Sequence, residues 1–128
     1  MKEYFKSPTS HLSVAVDKLS IYIDSFIAPV LLSQILGSSA VIKTTEGGIN
    51  LSVGFTDKLI NHQRITIPTV FNIQMGDRVS QGHGGKIIHT WEESFPEAEY
   101  FGADSVTNPI FWSKMGYMLY EPGFWIKK

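Results

Sequence analysis

Residues 78–91 read RVSQGHGGKIIHTW and place three glycines within four positions, directly before an apolar pattern of helical period. The first backbone amides of a helix lack internal partners, and the helix dipole adds about half a positive charge there. Glycines omit the β-carbons that would keep a phosphate away from these amides. Arg78, His83 and Lys86 can add charge or hydrogen bonds. The segment therefore predicts a phosphate-binding loop, with a simple tight turn as the alternative.

The spacing excludes two common phosphate-binding motifs. A Walker loop needs GxxxxGK[ST], but Ser80 stands at its first glycine position and Ile87 follows the lysine. A Rossmann loop needs GxGxxG within a βαβ unit, and GHGGKI lacks the last glycine. A further kind of glycine-rich loop must therefore be considered.

The elements after residue 38 predict a scaffold for this loop. Residues 40–55 predict a hairpin that turns at Gly47-Gly48, and residues 64–75 predict a strand in which Pro68 implies an unpaired edge or a bulge. After the glycines, apolar residues recur every four positions until Pro96, which predicts a helix. The chain then continues with a short predicted strand, a short helix and two final strands, over residues 98–106, 107–117 and 117–128. Asn108 is the predicted N-cap of the short helix.

The first third of the chain gives a weaker pattern. Residues 12–23 are rich in β-branched residues and predict a strand, whereas residues 24–37 predict a helix with an apolar stripe. Residues 25–42 carry no charge and are just long enough to span a membrane. Pro29 and Gln34 interrupt this stretch, so we expect a buried helix followed by a strand, and no membrane span.

Composition limits the kind of protein. The chain has 128 residues, of which 43% are hydrophobic and 18% charged, which predicts one mixed α/β domain over residues 1–128. The absence of cysteine excludes a disulfide framework and a thiolate nucleophile, and it fits a cytoplasmic location. A net charge of -1 gives no clear nucleic-acid signal, and the start shows no secretory pattern. The four histidines show no metal-ligand spacing, so no metal site is expected.

Two segments together resemble the GNAT superfamily of N-acetyltransferases. Their loop between the fourth strand and the third helix reads Arg/Gln-Gly-x-Gly-x-Gly and wraps the cofactor pyrophosphate. Here Gln81-Gly82-His83-Gly84 matches the first four positions, and Lys86 stands at the last glycine unless the loop is one residue shorter and uses Gly85. Downstream, FWSKMGY over residues 111–117 is similar to the family's FYxKxGF.

The resemblance implies a GNAT-like fold, namely a mixed, mostly antiparallel sheet flanked by helices in a single compact domain. It also implies acetyl-CoA (or another acyl-CoA) as cofactor, a small-molecule or peptide amine as acceptor, and it leaves a homodimer open. The amine would attack the thioester beside a splayed fourth strand, where a backbone amide polarises the carbonyl. The expected cofactor-binding residues are Ile73, Gln74, Met75, Arg78, Gln81, Gly82, His83, Gly84, Gly85, Lys86, Ser105, Asn108 and Trp112.

The chain also departs from the family pattern. Trp112 replaces the tyrosine that protonates the leaving thiolate, and indole cannot act as an acid at neutral pH. Tyr117 is the nearest phenol and the candidate catalytic acid, with water as the alternative. Glu46 and Asp104 are candidate bases by position alone. A non-catalytic GNAT-like binding or accessory module is therefore the second hypothesis.

Overall fold

A computed structural model describes residues 8–78 and 82–128, which form a single small α/β domain. In chain order its elements are α1 (Pro8–Phe26), β1 (Val30–Leu36), β2 (Ser39–Thr44), β3 (Asn50–Ile60), β4 (Gln63–Gln74), a 3₁₀ turn (Gly76–Arg78), α2 (His83–Glu93), β5 (Phe101–Asp104), α3 (Pro109–Lys114), β6 (Met118–Glu121) and β7 (Phe124–Lys127). The described strands form one sheet in the order β1-β2-β3-β4-β5-β7-β6. Its neighbours are antiparallel except for the parallel pair β4 and β5, so the expected mixed, mostly antiparallel sheet is confirmed.

The prediction of a strand over residues 12–23 is wrong, because this segment lies within helix α1. Leu12, Leu19 and Ile23 recur at helical spacing and are fully buried. Val14 and Ile21 point outward and are 50% and 66% exposed. Helical periodicity therefore outweighs the strand preference of β-branched residues here.

The prediction of a helix over residues 24–37 is also wrong, because most of the segment is strand β1. Pro29 lacks an amide hydrogen and cannot continue α1, and the Asp24 carboxylate accepts a hydrogen bond from the Val30 amide at 3.0 Å. Gly37 has a φ of 65° and begins the two-residue turn into β2, so it does not end a helix. Among residues 8–78 and 82–128, no helix is long and apolar enough to cross a membrane.

The later elements agree with the predictions. The hairpin of β2 and β3 turns through Gly47 and Gly48, both with positive φ, although its loop is longer than two residues. Helix α3 begins where predicted, and the Asn108 side chain accepts a hydrogen bond from the Phe111 amide at 3.2 Å. Pro68 lies one residue before the first pairing of β4 with β5, on an otherwise unpaired stretch of that edge.

The sheet has two distinct faces. The helix face carries the main core, in which α1, α2 and Trp112 cover buried strand residues such as Leu51, Val70 and Ala103. The second face carries a smaller cluster of Ile60, Ile67, Tyr100 and Phe124. Alternation along each strand therefore assigns its side chains to one face or the other.

Strands β4 and β5 part soon after they meet. Their pairing comprises only Thr69 with Gly102 and Val70 with Ala103. A β-bulge follows on β4, because Ser52 and Val53 of β3 face Asn72 and Val70 and leave Phe71 as the extra residue. Residues 71–74 of β4 consequently lie beside a gap in the sheet.

Candidate functional site

A cavity of about 460 Å³ occupies the gap between β4 and β5. Its walls come from residues 70–73 of β4 and Met75 just after it, from the end of β5 and the loop that follows it, from α3, and from three residues at or next to the start of α2. A cavity of this size is in the usual range for small-molecule sites. The chain therefore places its glycine-rich segment against the gap between β4 and β5.

The three glycines of this segment line the cavity for different local reasons. Gly82 precedes α2 with a φ of 80°, a conformation that strains other residues. A β-carbon on Gly84 would lie 3.3 Å from Cε1 of Phe111 and 3.9 Å from Cγ of Met75, two residues that also line the cavity. A β-carbon on Gly85 would instead lie 3.6 Å from Sδ of Met115, which is outside the lining. Only Gly84 thus keeps space free between two cavity walls.

The basic residues near the loop take separate positions. Lys86 is exposed and outside the cavity lining. The Nδ1 atom of His83 lies 2.9 Å from the Tyr22 hydroxyl, so this histidine contacts α1 and not the cavity. Gln81 and the side chain of Arg78 lie outside the described residues. Lys114 of α3 lines the cavity, although the sequence reading gave it no role.

The other expected cofactor residues gather at the cavity, with one exception. Ile73 of β4 and Met75, the residue after β4, line it, whereas the exposed Gln74 does not. Ser105, Asn108 and Trp112 line it from the β5–α3 loop and from α3. The loop and the FWSKMGY segment, which are distant in sequence, therefore meet at one place.

Tyr117 lies elsewhere. It is 2% exposed, and its hydroxyl donates a hydrogen bond to the Glu92 carboxylate at 2.7 Å, which the Lys127 ammonium also contacts at 3.1 Å. Burial, and then the charge of Glu92 and this hydrogen bond, raise the pKa of Tyr117 well above its usual range. Tyr117 is not among the residues that line the cavity, so the geometry argues against its predicted role as the acid.

The structure adds residues that the sequence reading missed. Phe71 and Asn72 line the cavity at the bulge of β4, and no periodic pattern announces a bulge. Lys114 could have been found, because it is the lysine of the FWSKMGY segment. Of the two candidate bases, Asp104 lines the cavity and the exposed Glu46 does not.

Neither a metal-binding cluster among the described residues nor a matching known protein indicates the function of the cavity. Among residues 8–78 and 82–128, no group of three histidine, aspartate or glutamate residues could hold a metal ion. A scan against models of protein families finds no match, and a search of curated proteins finds no significant relative. The function must therefore be inferred from the cavity and its lining.

Proposed function

We propose that this protein transfers an acyl group from acetyl-CoA, or another acyl-CoA, to an amine. One observation carries the proposal: the cavity lies where the parallel strands β4 and β5 part, and the glycine-rich start of α2 forms one of its walls. The resemblance to the GNAT superfamily implies that the thioester of the acyl-CoA lies beside a splayed fourth strand. It also implies that the pyrophosphate of the acyl-CoA lies at such a loop.

The walls suit the separate parts of coenzyme A. Beyond Val70, one edge of β4 has no pairing with β5, so its backbone groups can bind the amides of the pantetheine arm as an added strand would. Ile73 and Met75 offer apolar contact beside them. The free amides at the start of α2 and the ammonium of Lys114 favour the negative charge of the pyrophosphate.

The chemical step needs a neutral amine. Its nitrogen lone pair attacks the thioester carbonyl, a nitrogen–carbon bond forms, and the carbon–sulfur bond breaks. A backbone amide of β4 stabilises the oxyanion, and the proton lost by nitrogen ends on the thiolate by way of water. Water can protonate the thiolate because a thiol has a pKa of about 8.5. Neither Trp112 nor the hydrogen-bonded Tyr117 supplies an acid at the cavity.

The replacement of the family's tyrosine by Trp112, with Tyr117 outside the cavity lining, supports a second candidate function. The domain could bind an acyl-CoA without catalysis. Trp112 is 4% exposed and packs edge-on against the Tyr117 ring at 4.9 Å, so it serves the core as well as the cavity wall.

Thermal unfolding with and without acetyl-CoA tests the binding step shared by both candidates. At a ligand concentration of 100 Kd, stability should rise by about 2.7 kcal/mol, which corresponds to roughly 10 °C in Tm for a domain of this size. ATP is the control ligand, because it carries phosphates without a pantetheine arm. An equal response to ATP, or no response to acetyl-CoA, would refute acyl-CoA binding. Release of free thiol with a panel of amines then separates the transferase from the binding module.

A further inference from the structure

The lining of the cavity includes residues from both faces of the sheet. Val70 and Ile73 belong to the helix face, where they pack with the main core. Asp104 is on the second face, because it pairs across β5 and β7 with Phe124, and directly opposed residues share a face. It also alternates with Ala103, which lies in the main core.

The bulge of β4 adds two side chains to the second face. Asn72 pairs with Ser52, which lies between the buried helix-face residues Leu51 and Val53. Phe71 lies on the same face, because a β-carbon built on Gly54 would come within 2.9 Å of its ring. Three residues of the second face, Phe71, Asn72 and Asp104, therefore line the cavity.

The two charged residues of the lining have opposite signs and come from different elements. Lys114 is on α3, the helix that packs Phe111 against Gly84 of the loop, and Asp104 ends β5 on the second face. The Asp104 Oδ1 atom accepts a hydrogen bond from the Ser105 amide at 2.8 Å, which orients the carboxylate. A carboxylate has acceptor sites beyond this one hydrogen bond, so Asp104 can also accept from a ligand ammonium group.

We propose that Asp104 selects the acyl acceptor as a small primary ammonium compound that enters from the second face. The carboxylate binds the ammonium group by a charge-assisted hydrogen bond, and the Phe71 ring adds attraction for a cation. The bound ammonium then loses one proton to water, which frees the nitrogen lone pair that the transfer step requires. Neutral alcohols and carboxylates of the same length are rejected, because they leave Asp104 unpaired or repel it. The acceptor role rests on the proposed transferase function, whereas the ammonium site itself does not.

NMR titration of the full chain with n-butylammonium chloride tests this site, with n-butanol and sodium butyrate as matched probes. The ammonium should shift the backbone amide signals of Phe71, Asn72 and Asp104, and the other two probes should not. Asp104→Asn keeps an oxygen that can accept from the Ser105 amide, and it should weaken ammonium binding about 10- to 100-fold. Glu46→Gln removes the same charge outside the cavity and should bind as the wild type does.

Each result decides the proposal. Equal shifts with n-butanol, shifts confined to other parts of the chain, or unchanged affinity in Asp104→Asn would overturn it. If Asp104→Asn fails to fold, the position of the wild-type shifts still decides. The same titration with coenzyme A present separates the two ideas. Coenzyme A binding without an ammonium site refutes only this inference, whereas an ammonium site without coenzyme A binding refutes only the proposed function.

Discussion

Replacing Gly84 with alanine should weaken acetyl-CoA binding while leaving stability nearly unchanged. The new methyl group would lie 3.3 Å from Cε1 of Phe111 and 3.9 Å from Cγ of Met75, between two walls of the cavity. If a phosphate approaches the amides there, the methyl group should remove about one charge-assisted hydrogen bond, and affinity should fall about 10- to 100-fold.

The stability of this variant follows from two opposing effects. Alanine at a helical position gains about 0.5–1 kcal/mol over glycine. The contact of 3.3 Å is closer than ordinary packing, so the half-buried Phe111 ring must shift at a cost of similar size. We therefore expect the free energy of unfolding to change by less than about 1 kcal/mol. Urea unfolding measures this through the midpoint, with an unchanged slope as the sign of an intact fold.

Gly85→Ala is the matched control. Its methyl group would lie 3.6 Å from Sδ of Met115, which is an ordinary contact with a residue outside the cavity lining. The free energy of unfolding should therefore rise by about 0.5–1 kcal/mol, and the affinity for acetyl-CoA should stay at the wild-type value. The free energy of unfolding should instead fall by about 1–2 kcal/mol in Gly82→Ala, because the φ of 80° at this position is left-handed. Wild-type affinity in Gly84→Ala would refute a phosphate approach at this loop. An equal loss in Gly85→Ala would show that the helix, and not the cavity wall, is responsible.

Three further predictions concern the hydrogen bond between Tyr117 and Glu92, the pH dependence of stability, and the core under helix α1. Tyr117→Phe should change any transferase kcat by only a few fold, because the hydroxyl donates to Glu92 outside the cavity; a loss of about 10²-fold or more would restore it as the acid. The raised pKa values of Tyr117 and Tyr22 mean that the folded protein holds these protons where the unfolded chain releases them. For the buried Tyr117, the free energy of unfolding should thus be intact below about pH 10 and fall above it by up to about 1.4 kcal/mol per pH unit, and Tyr117→Phe should reduce that slope in urea unfolding between about pH 9 and 11. Leu19→Ala should lower the free energy of unfolding by about 2–5 kcal/mol, and Ile21→Ala should lower it by about 0.5 kcal/mol or less, because Leu19 is fully buried and Ile21 is 66% exposed. Similar losses for both variants in urea unfolding would contradict the helical structure of α1.

Local signals predicted the second half of the chain well because they act over a few residues. Asn108 caps the first turn of α3 and Pro109 suits its first position, and the apolar residues spaced four apart before Pro96 mark α2. The first third failed because two local signals conflict there. The β-branched residues of α1 favour a strand, and the leucines of β1 favour a helix. Packing against the rest of the sheet determines the structure of both segments, because these local preferences are weak.

By itself, the sequence determined the class of fold, the glycine-rich turn before α2 and the two segments that could form a site. It also determined the chemical types of their side chains. Only the tertiary structure decided that β4 and β5 part after two pairs, that Phe71 bulges, and that the cavity therefore reaches both faces of the sheet. It also decided that Asp104 faces this cavity while Tyr117 pairs with Glu92. These outcomes depend on contacts between residues far apart in the chain, such as Glu92 and Tyr117 with a sequence separation of 25, and no local pattern encodes such contacts.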